Sequence, residues 1–221
     1  GTLNYTDSFF EAMSGLTTTG ATVLGHSSTL MIEDVSHSIL FWRSFTHFIG
    51  GMGIIVFSIA ILPVLGIGGV QLFRAEVAGP VAEKITPRVK QTAKLLWGIY
   101  VGFVLLQTLI LKFEGMSWFD ALCHAFGTMA TGGFSTKNAS IAAFNSPLIE
   151  ITIIIFMFIA ATSFSLHYIF LGKRKFDYFK DEEFKAYFFI VSFVSLILFL
   201  DININGYYTW TLNSIKDSLF T

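Results

Sequence analysis

Four strongly apolar stretches of the chain hold no Asp, Glu, Lys or Arg. They lie between Arg43 and Arg74, Lys94 and Lys112, Glu150 and Lys173, and Lys185 and Asp201. A helix that crosses a bilayer needs about 20 mostly apolar residues. The first and third stretches exceed that length. The second reaches it if Lys94 snorkels to the interface. The fourth has only 15 charge-free residues and draws on the Phe184–Lys185 side to complete its length. This pattern predicts spans over residues 44–72, 92–113, 147–171 and 184–201.

Shorter helical segments precede two of these spans. The stretch Asp7-Ser-Phe-Phe-Glu-Ala-Met-Ser-Gly-Leu-Thr-Thr-Thr-Gly20 aligns without a gap on Asp120-Ala-Leu-Cys-His-Ala-Phe-Gly-Thr-Met-Ala-Thr-Gly-Gly133, at an offset of 113 residues. Asp7, Ala12, Thr18 and Gly20 meet identical partners in Asp120, Ala125, Thr131 and Gly133. Both segments are followed by a long apolar span that ends in a basic stretch. Asn4-x-x-Asp7, Ser117-x-x-Asp120 and Ser214-x-x-Asp217 share a helix-start spacing. A capping side chain and an acid three residues on both favour the positive helix end. Ser146-Pro147 reads as the cap and first residue of another helix.

The expected organisation is therefore a repeat. Residues 1–72 form a first unit lacking its opening span, with half-helix 7–16, turn 17–22 and span 44–72. A linker follows over 73–90, and a second unit covers 91–172, with half-helix 118–129 and turn 130–135. A second linker covers 173–183, and a third unit begins over 184–221 with a half-helix start at 214–221. The chain is expected to be a fragment of a longer protein.

Composition turns these spans into a membrane expectation. Hydrophobic residues make up 53% and charged residues 13%, against about 25% charged in a typical globular domain. Five basic residues lie in Arg74–Lys94 and five in Lys173–Lys185, which places both segments in the cytoplasm and residues 23–43, 112–147 and 201–216 outside. Trp42, Trp97, Trp118 and Trp210 fall near span ends, where interfacial tryptophans belong. The start of the chain lacks the basic and apolar regions of a cleavable leader. Cys123, the only cysteine, excludes an intrachain disulfide, and a net charge of -1 gives no sign of a nucleic-acid partner.

The half-helices carry the chemistry. Ten helical residues reach about 15 Å, half of a roughly 30 Å hydrocarbon core. Each turn then sits near mid-membrane, where non-helical backbone persists only if it is buried in protein or lines water. The carbonyl end of a half-helix favours a cation. Thr17, Thr18 and Thr19 supply carbonyl oxygens, and Gly20 and Gly133 reach conformations closed to other residues. Rings of carbonyls replace the water shell of potassium, and neither turn holds the carboxylate that divalent sites usually recruit.

Taken with Gly50-Gly-Met-Gly-Ile-Ile-Val56, Ala60-Ile-Leu-Pro-Val-Leu-Gly66, Gln71-Leu-Phe-Arg-Ala-Glu76, Thr92-Ala-Lys-Leu-Leu-Trp97, Gly132-Gly-Phe-Ser-Thr136 and Asn138-Ala-Ser-Ile141, the first loop Asp7–Thr22 closely resembles the TrkH/TrkG potassium uptake proteins of bacteria. The resemblance covers essentially the whole chain. It implies an all-α membrane protein of repeated span–pore helix–span units around a potassium-channel-like pore, present here as an incomplete set. It implies Thr18, Thr19, Gly20, Thr131, Gly132 and Gly133 as filter residues, with Thr17, Ala21, Ala130 and Phe134 supporting them. It further implies K+ as transported ion with no cofactor, a multi-pass protein of the bacterial inner membrane, a homodimer, and a cytosolic TrkA-like nucleotide-binding regulator. Gly20 favours potassium over sodium, because a serine at that place accompanies sodium permeation in related proteins. A sodium-permeable relative is the nearest alternative. An intramembrane enzyme would need a nucleophile–base or metal cluster, and no such spacing is present. A purely structural subunit would leave the repeated turns unexplained.

Other residues have plainer readings. Gly50, Gly51 and Gly53 suit close helix packing better than a flexible gate. His47, His124 and His167 match no compact metal motif, and His124 is expected to pack within the pore helix. Glu11 is expected to support the filter rather than bind the ion, since its repeat equivalent is His124. Glu33 and Asp34 either enrich cations at the outer mouth or are simply solvated.

Overall fold

The computed structural model describes residues 3–25, 30–53, 86–173 and 178–204. Most of the expected span 44–72, most of the linker 73–90 and the half-helix start at 214–221 lie outside the described residues. Among the described residues every regular element is helical. The chain divides into two compact units, Gly1–Ala143 and Phe144–Thr221. This division falls inside the second expected repeat, because the second half-helix and turn pack into the first repeat.

The first unit holds α1 (Tyr5–Leu16), α2 (His37–Phe48), α3 (Thr86–Phe113) and α4 (Trp118–Met129). In α3, Tyr100, Val104, Gln107, Thr108 and Leu111 are buried while Leu105, Leu106 and Leu109 are exposed. The 3- and 4-residue steps place the first set on one stripe of the helix. The α2 aromatics Phe41, Phe45 and Phe48 pack around Phe126 of α4, with ring centroids 6.1, 6.0 and 4.9 Å away. Phe48 also stacks on Tyr100, whose hydroxyl donates to the Phe48 carbonyl at 3.3 Å. Leu24, Ile32, Val35 and Leu40 form a separate small core beneath the loop that joins α1 to α2.

A wider, π-type turn, Ile49–Gly53, continues α2, and Gly51 departs from helical geometry within it. Such turns need local permission, and two adjacent glycines provide it.

The second unit holds α5 (Pro147–Ala161), α6 (Phe164–Lys173) and α7 (Glu182–Ile204). The span expected as one helix over 147–171 is broken at Thr162, whose backbone is extended (ψ 144°). At the break the Thr162 N–H still donates to the Ile159 carbonyl at 3.1 Å, and side chains add further bonds. The Thr162 hydroxyl donates to the Phe158 carbonyl at 2.9 Å, and His167 Nε2 donates to the Ile159 carbonyl at 3.0 Å. With its Nε2 proton so used, His167 accepts the Tyr178 hydroxyl at Nδ1, at 2.9 Å. Broken backbone inside a membrane span persists only under such satisfaction.

Asp181 Oδ1 accepts the Phe184 N–H at 2.8 Å and so starts α7. The Lys94–Phe113 and Glu182–Asp201 segments are long and apolar enough to cross a membrane. At about 1.5 Å per residue each reaches roughly 30 Å.

Candidate ion-pathway site

α1 and α4 each have 12 residues, a length of about 18 Å, and neither crosses a bilayer. Their starts follow the expected caps. Asn4 Oδ1 accepts the Asp7 N–H at 2.8 Å, and Ser117 Oγ accepts the Asp120 N–H at 3.0 Å.

Their ends repeat each other bond for bond. In α1 the Thr17 N–H donates to Met13, Thr18 to Gly15 and Thr19 to Ser14, at 2.9, 3.1 and 2.9 Å. In α4 the Ala130 N–H donates to Phe126, Thr131 to Thr128 and Gly132 to Gly127, at 3.2, 3.0 and 2.8 Å. Both are Schellman ends, with the left-handed position filled by threonine. Thr18 has φ 53° and Thr131 φ 54°. Glycine or asparagine normally fills that position, and a β-branched residue there costs about 1–3 kcal/mol. Identical strain at equivalent places marks a backbone path imposed by its surroundings. Gly20 (φ 74°) and Gly133 (φ 96°) then turn the chain a second time.

The two turns meet. A side chain at Gly20 would run into the Gly132 carbonyl. The next carbonyl in each turn is held back against its own half-helix. The Ser14 hydroxyl donates to the Ala21 carbonyl at 2.6 Å. The Phe134 carbonyl lies 3.1 Å from the point where Gly127 would carry a Cβ. Ser14 and Gly127 are repeat equivalents, as are Ala21 and Phe134. Thr17 Oγ1 donates to the Met13 carbonyl at 2.7 Å, so the 2.8 Å bond between Thr17 and Thr19 is donated by Thr19. The Thr19 oxygen keeps its lone pairs. The equivalents of these two hydroxyls, Ala130 and Gly132, carry none.

Each turn is braced by its half-helix through a different chemistry. Glu11 accepts the Thr22 hydroxyl at 2.5 Å and the Val23 N–H at 2.7 Å. Glu11 is also paired with Arg43 of α2, Nε to Oε2 at 2.9 Å, both side chains being about 7% or less exposed. In the second repeat His124 replaces Glu11 and Ser135 replaces Thr22. His124 Nδ1 donates to the Asp120 carbonyl at 2.8 Å, and Nε2 accepts the Ser135 hydroxyl at 3.0 Å. Thr136 donates to Asp120 at 2.6 Å and Ser117 donates at 2.7 Å. Burial opposes the Asp120 carboxylate, but the Thr136 and Ser117 hydroxyls, with Lys137 and His124 nearby, outweigh it and hold its pKa below the ordinary value.

The π-type turn fits between the two half-helix ends. A Cβ at Gly50 would strike the Leu16 carbonyl and lie 3.1 Å from Thr18 Cγ2. At Gly51 it would lie 3.0 Å from Ala130 and from the Tyr100 hydroxyl. These contacts favour the packing role for both glycines. His47 is fully buried and stacks on Phe134, with ring centroids 4.2 Å apart, and its ring closes the face of Gly132. Among the described residues no group of three His, Cys, Asp or Glu side chains is placed to hold a metal ion.

Glu33 is engaged rather than simply solvated. Its two carboxylate oxygens accept the Asn138 N–H at 2.9 Å and the Asn138 Nδ2 at 2.5 Å. Asn138 Oδ1 in turn accepts the Ile32 N–H at 3.2 Å. This clamp joins the outer loop of the first repeat to the segment after the second turn. Glu33→Ala and Asn138→Ala are each expected to lower stability by about 1–2 kcal/mol. The double variant is expected to cost no more than either alone, as a thermal-denaturation double-mutant cycle would read.

Sequence reasoning placed Thr22 and Ser135 at the ends of the two turns without a role of their own, and missed Arg43 and Asn138 as parts of this assembly. Two signals were available: the hydroxyls of Thr22 and Ser135 recur at the repeat offset, and Arg43 is a lone charge at the start of an apolar run.

The chain resembles proteins of known identity throughout its length. A family model described as TrkH, cation transport protein, matches residues 1–220. The Trk system potassium uptake protein TrkH of Vibrio parahaemolyticus is 43% identical over 222 residues, covering 99% of this chain and 45% of that protein. The protein of the same name in Escherichia coli K12 is 44% identical over 220 residues, covering 99% and 44%. The Trk system potassium uptake protein TrkG of Escherichia coli K12 is 40% identical over 173 residues, covering 78% and 35%. The crystal structure of the potassium transporter TrkH from Vibrio parahaemolyticus matches with a TM-score of 0.79 at 40% identity, covering 99% of this chain and 43% of that one. The chain thus spans a little under half the length of these TrkH relatives. On a family match over residues 1–220, this chain belongs to the TrkH family of cation transport proteins.

Proposed function

We propose that the chain carries two filter turns of a bacterial potassium uptake protein. Thr18, Thr19 and Gly20 in one turn, and Thr131, Gly132 and Gly133 in the other, present carbonyl oxygens to a dehydrated K+ ion. Thr17, Ala21, Ala130 and Phe134 support them. One observation carries this reading: two half-helices end in the same strained turn at equivalent positions, and the turns meet at Gly20 and Gly132. Relatives named as potassium uptake proteins support the choice of ion.

In this reading the repeats run 1–72, 91–172 and from 184 onward, and the linkers 73–90 and 173–183 face the cytoplasm. The protein is multi-pass in the bacterial inner membrane. It works as a homodimer with a cytosolic TrkA-like nucleotide-binding subunit, and it needs neither cofactor nor catalysis.

The test expresses the complete reading frame in a strain lacking potassium uptake. Growth at low potassium and rubidium uptake into liposomes are expected. Absence of both from a correctly inserted protein overturns the reading.

A further inference from the structure

Resting on that reading, we infer that Arg43 is a positioning residue that sets ion selectivity by tying both filter turns to one guanidinium. Arg43 Nε pairs with Glu11 at 2.9 Å, and Nη2 donates to the Thr22 hydroxyl at 3.1 Å, at the end of the first turn. Nη1 donates to the Ser135 carbonyl at 3.4 Å, at the end of the second. The guanidinium carbon lies 4.1 Å over the ring of Phe134, which directly follows Gly133. The side chain is 6% exposed.

The arrangement uses what distinguishes arginine from lysine. A planar fork holds several acceptors in a fixed plane while its face rests on an aromatic ring. A lysine at the same place keeps the charge and one contact but cannot hold the two turns at a fixed spacing. Glu11 balances the charge locally, so the pair adds no net charge beside the turns. Its effect is geometric. Discrimination between K+ and Na+ depends on how many carbonyls surround the ion and how far they relax. A constellation left slightly loose by its supports keeps its chemistry and loses its discrimination.

This predicts a split that a merely structural residue would not produce. A residue needed only for folding lowers the amount of active protein and leaves the ion ratio of the surviving fraction unchanged. The experiment reconstitutes the complete protein in liposomes and measures the permeability ratio of Rb+ to Na+, which does not depend on how much protein inserts. Arg43→Lys is expected to lower that ratio about tenfold. Thr22→Val removes one Arg43 partner while conserving shape, and is expected to lower the ratio by a smaller factor of about three. If Arg43→Lys does not fold, Thr22→Val decides. Wild-type ratios in the variants that insert overturn the inference. A wild-type protein that does not prefer Rb+ to Na+ instead overturns the potassium reading, and the two failures are distinct.

Discussion

Gly20→Ala is expected to abolish rubidium flux through the complete protein while the protein still reaches the membrane. Two costs act together at this position. Alanine at φ 74° enters a left-handed region that costs about 1–2 kcal/mol. Its methyl group would also occupy the space of the Gly132 carbonyl, which is backbone of the opposite turn. A flexible side chain could swing aside, whereas this carbonyl moves only if residues 131–133 move with it. Those residues belong to the second proposed ion-facing segment, so one methyl group disturbs both turns. Gly98→Ala provides the control. No atom lies within 4 Å of the added methyl there, and alanine is the better helix former. Rubidium uptake in liposomes, normalised to inserted protein, measures both. Flux from Gly20→Ala comparable to that of Gly98→Ala would contradict the geometry described for the turns.

The second large effect concerns stability. Glu11→Ala is expected to destabilise the protein by about 3–5 kcal/mol, because it leaves the buried Arg43 guanidinium without its counter-charge. The Thr22 hydroxyl and the Val23 N–H lose their acceptor at the same time. Removing both charges costs less than removing one, since a buried ion pair replaced by apolar side chains often leaves stability nearly unchanged. Glu11→Ala with Arg43→Met is therefore expected to survive heating better than Glu11→Ala alone. Loss of monodisperse protein in detergent after a temperature ramp gives the ranking. Equal loss from the single and double variants would mean that the bonds to Thr22 and Val23, rather than the charge pair, dominate.

Both expectations depend on contacts that differ in how far they could be read from the chain. Gly20 and Gly133 stood out because a glycine after a threonine-ended half-helix has few other uses. That their turns are Schellman ends bent at Thr18 and Thr131 was not legible, since threonine ordinarily avoids φ near 54°. Glu11 was legible as a support of the turn, because His124 takes its place in the repeat. Its partner was not. Arg43 reads as the boundary of an apolar span, and nothing in its neighbours says that it is buried. Glu33 reads equally well as a solvated acid, and only its bonds to Asn138 show otherwise. The break at Thr162 was also hidden. A run of apolar residues signals a span, but hydropathy has no term for a carbonyl that also accepts from His167.

By itself the sequence determined the all-helical, membrane-spanning character, the two half-helices with their caps at Asn4 and Ser117, and the equivalence of their terminal turns. These follow from local rules: apolar length, capping over three residues, and a repeat visible at constant offset. Only the tertiary structure decided which side chains join the two repeats. Arg43 meets the Ser135 carbonyl across 92 residues, and Glu33 meets Asn138 across 105. No periodicity or propensity encodes a contact at that separation. It arises because the strained turns must be held from behind, and the folded packing alone determines which polar groups stand close enough to hold them.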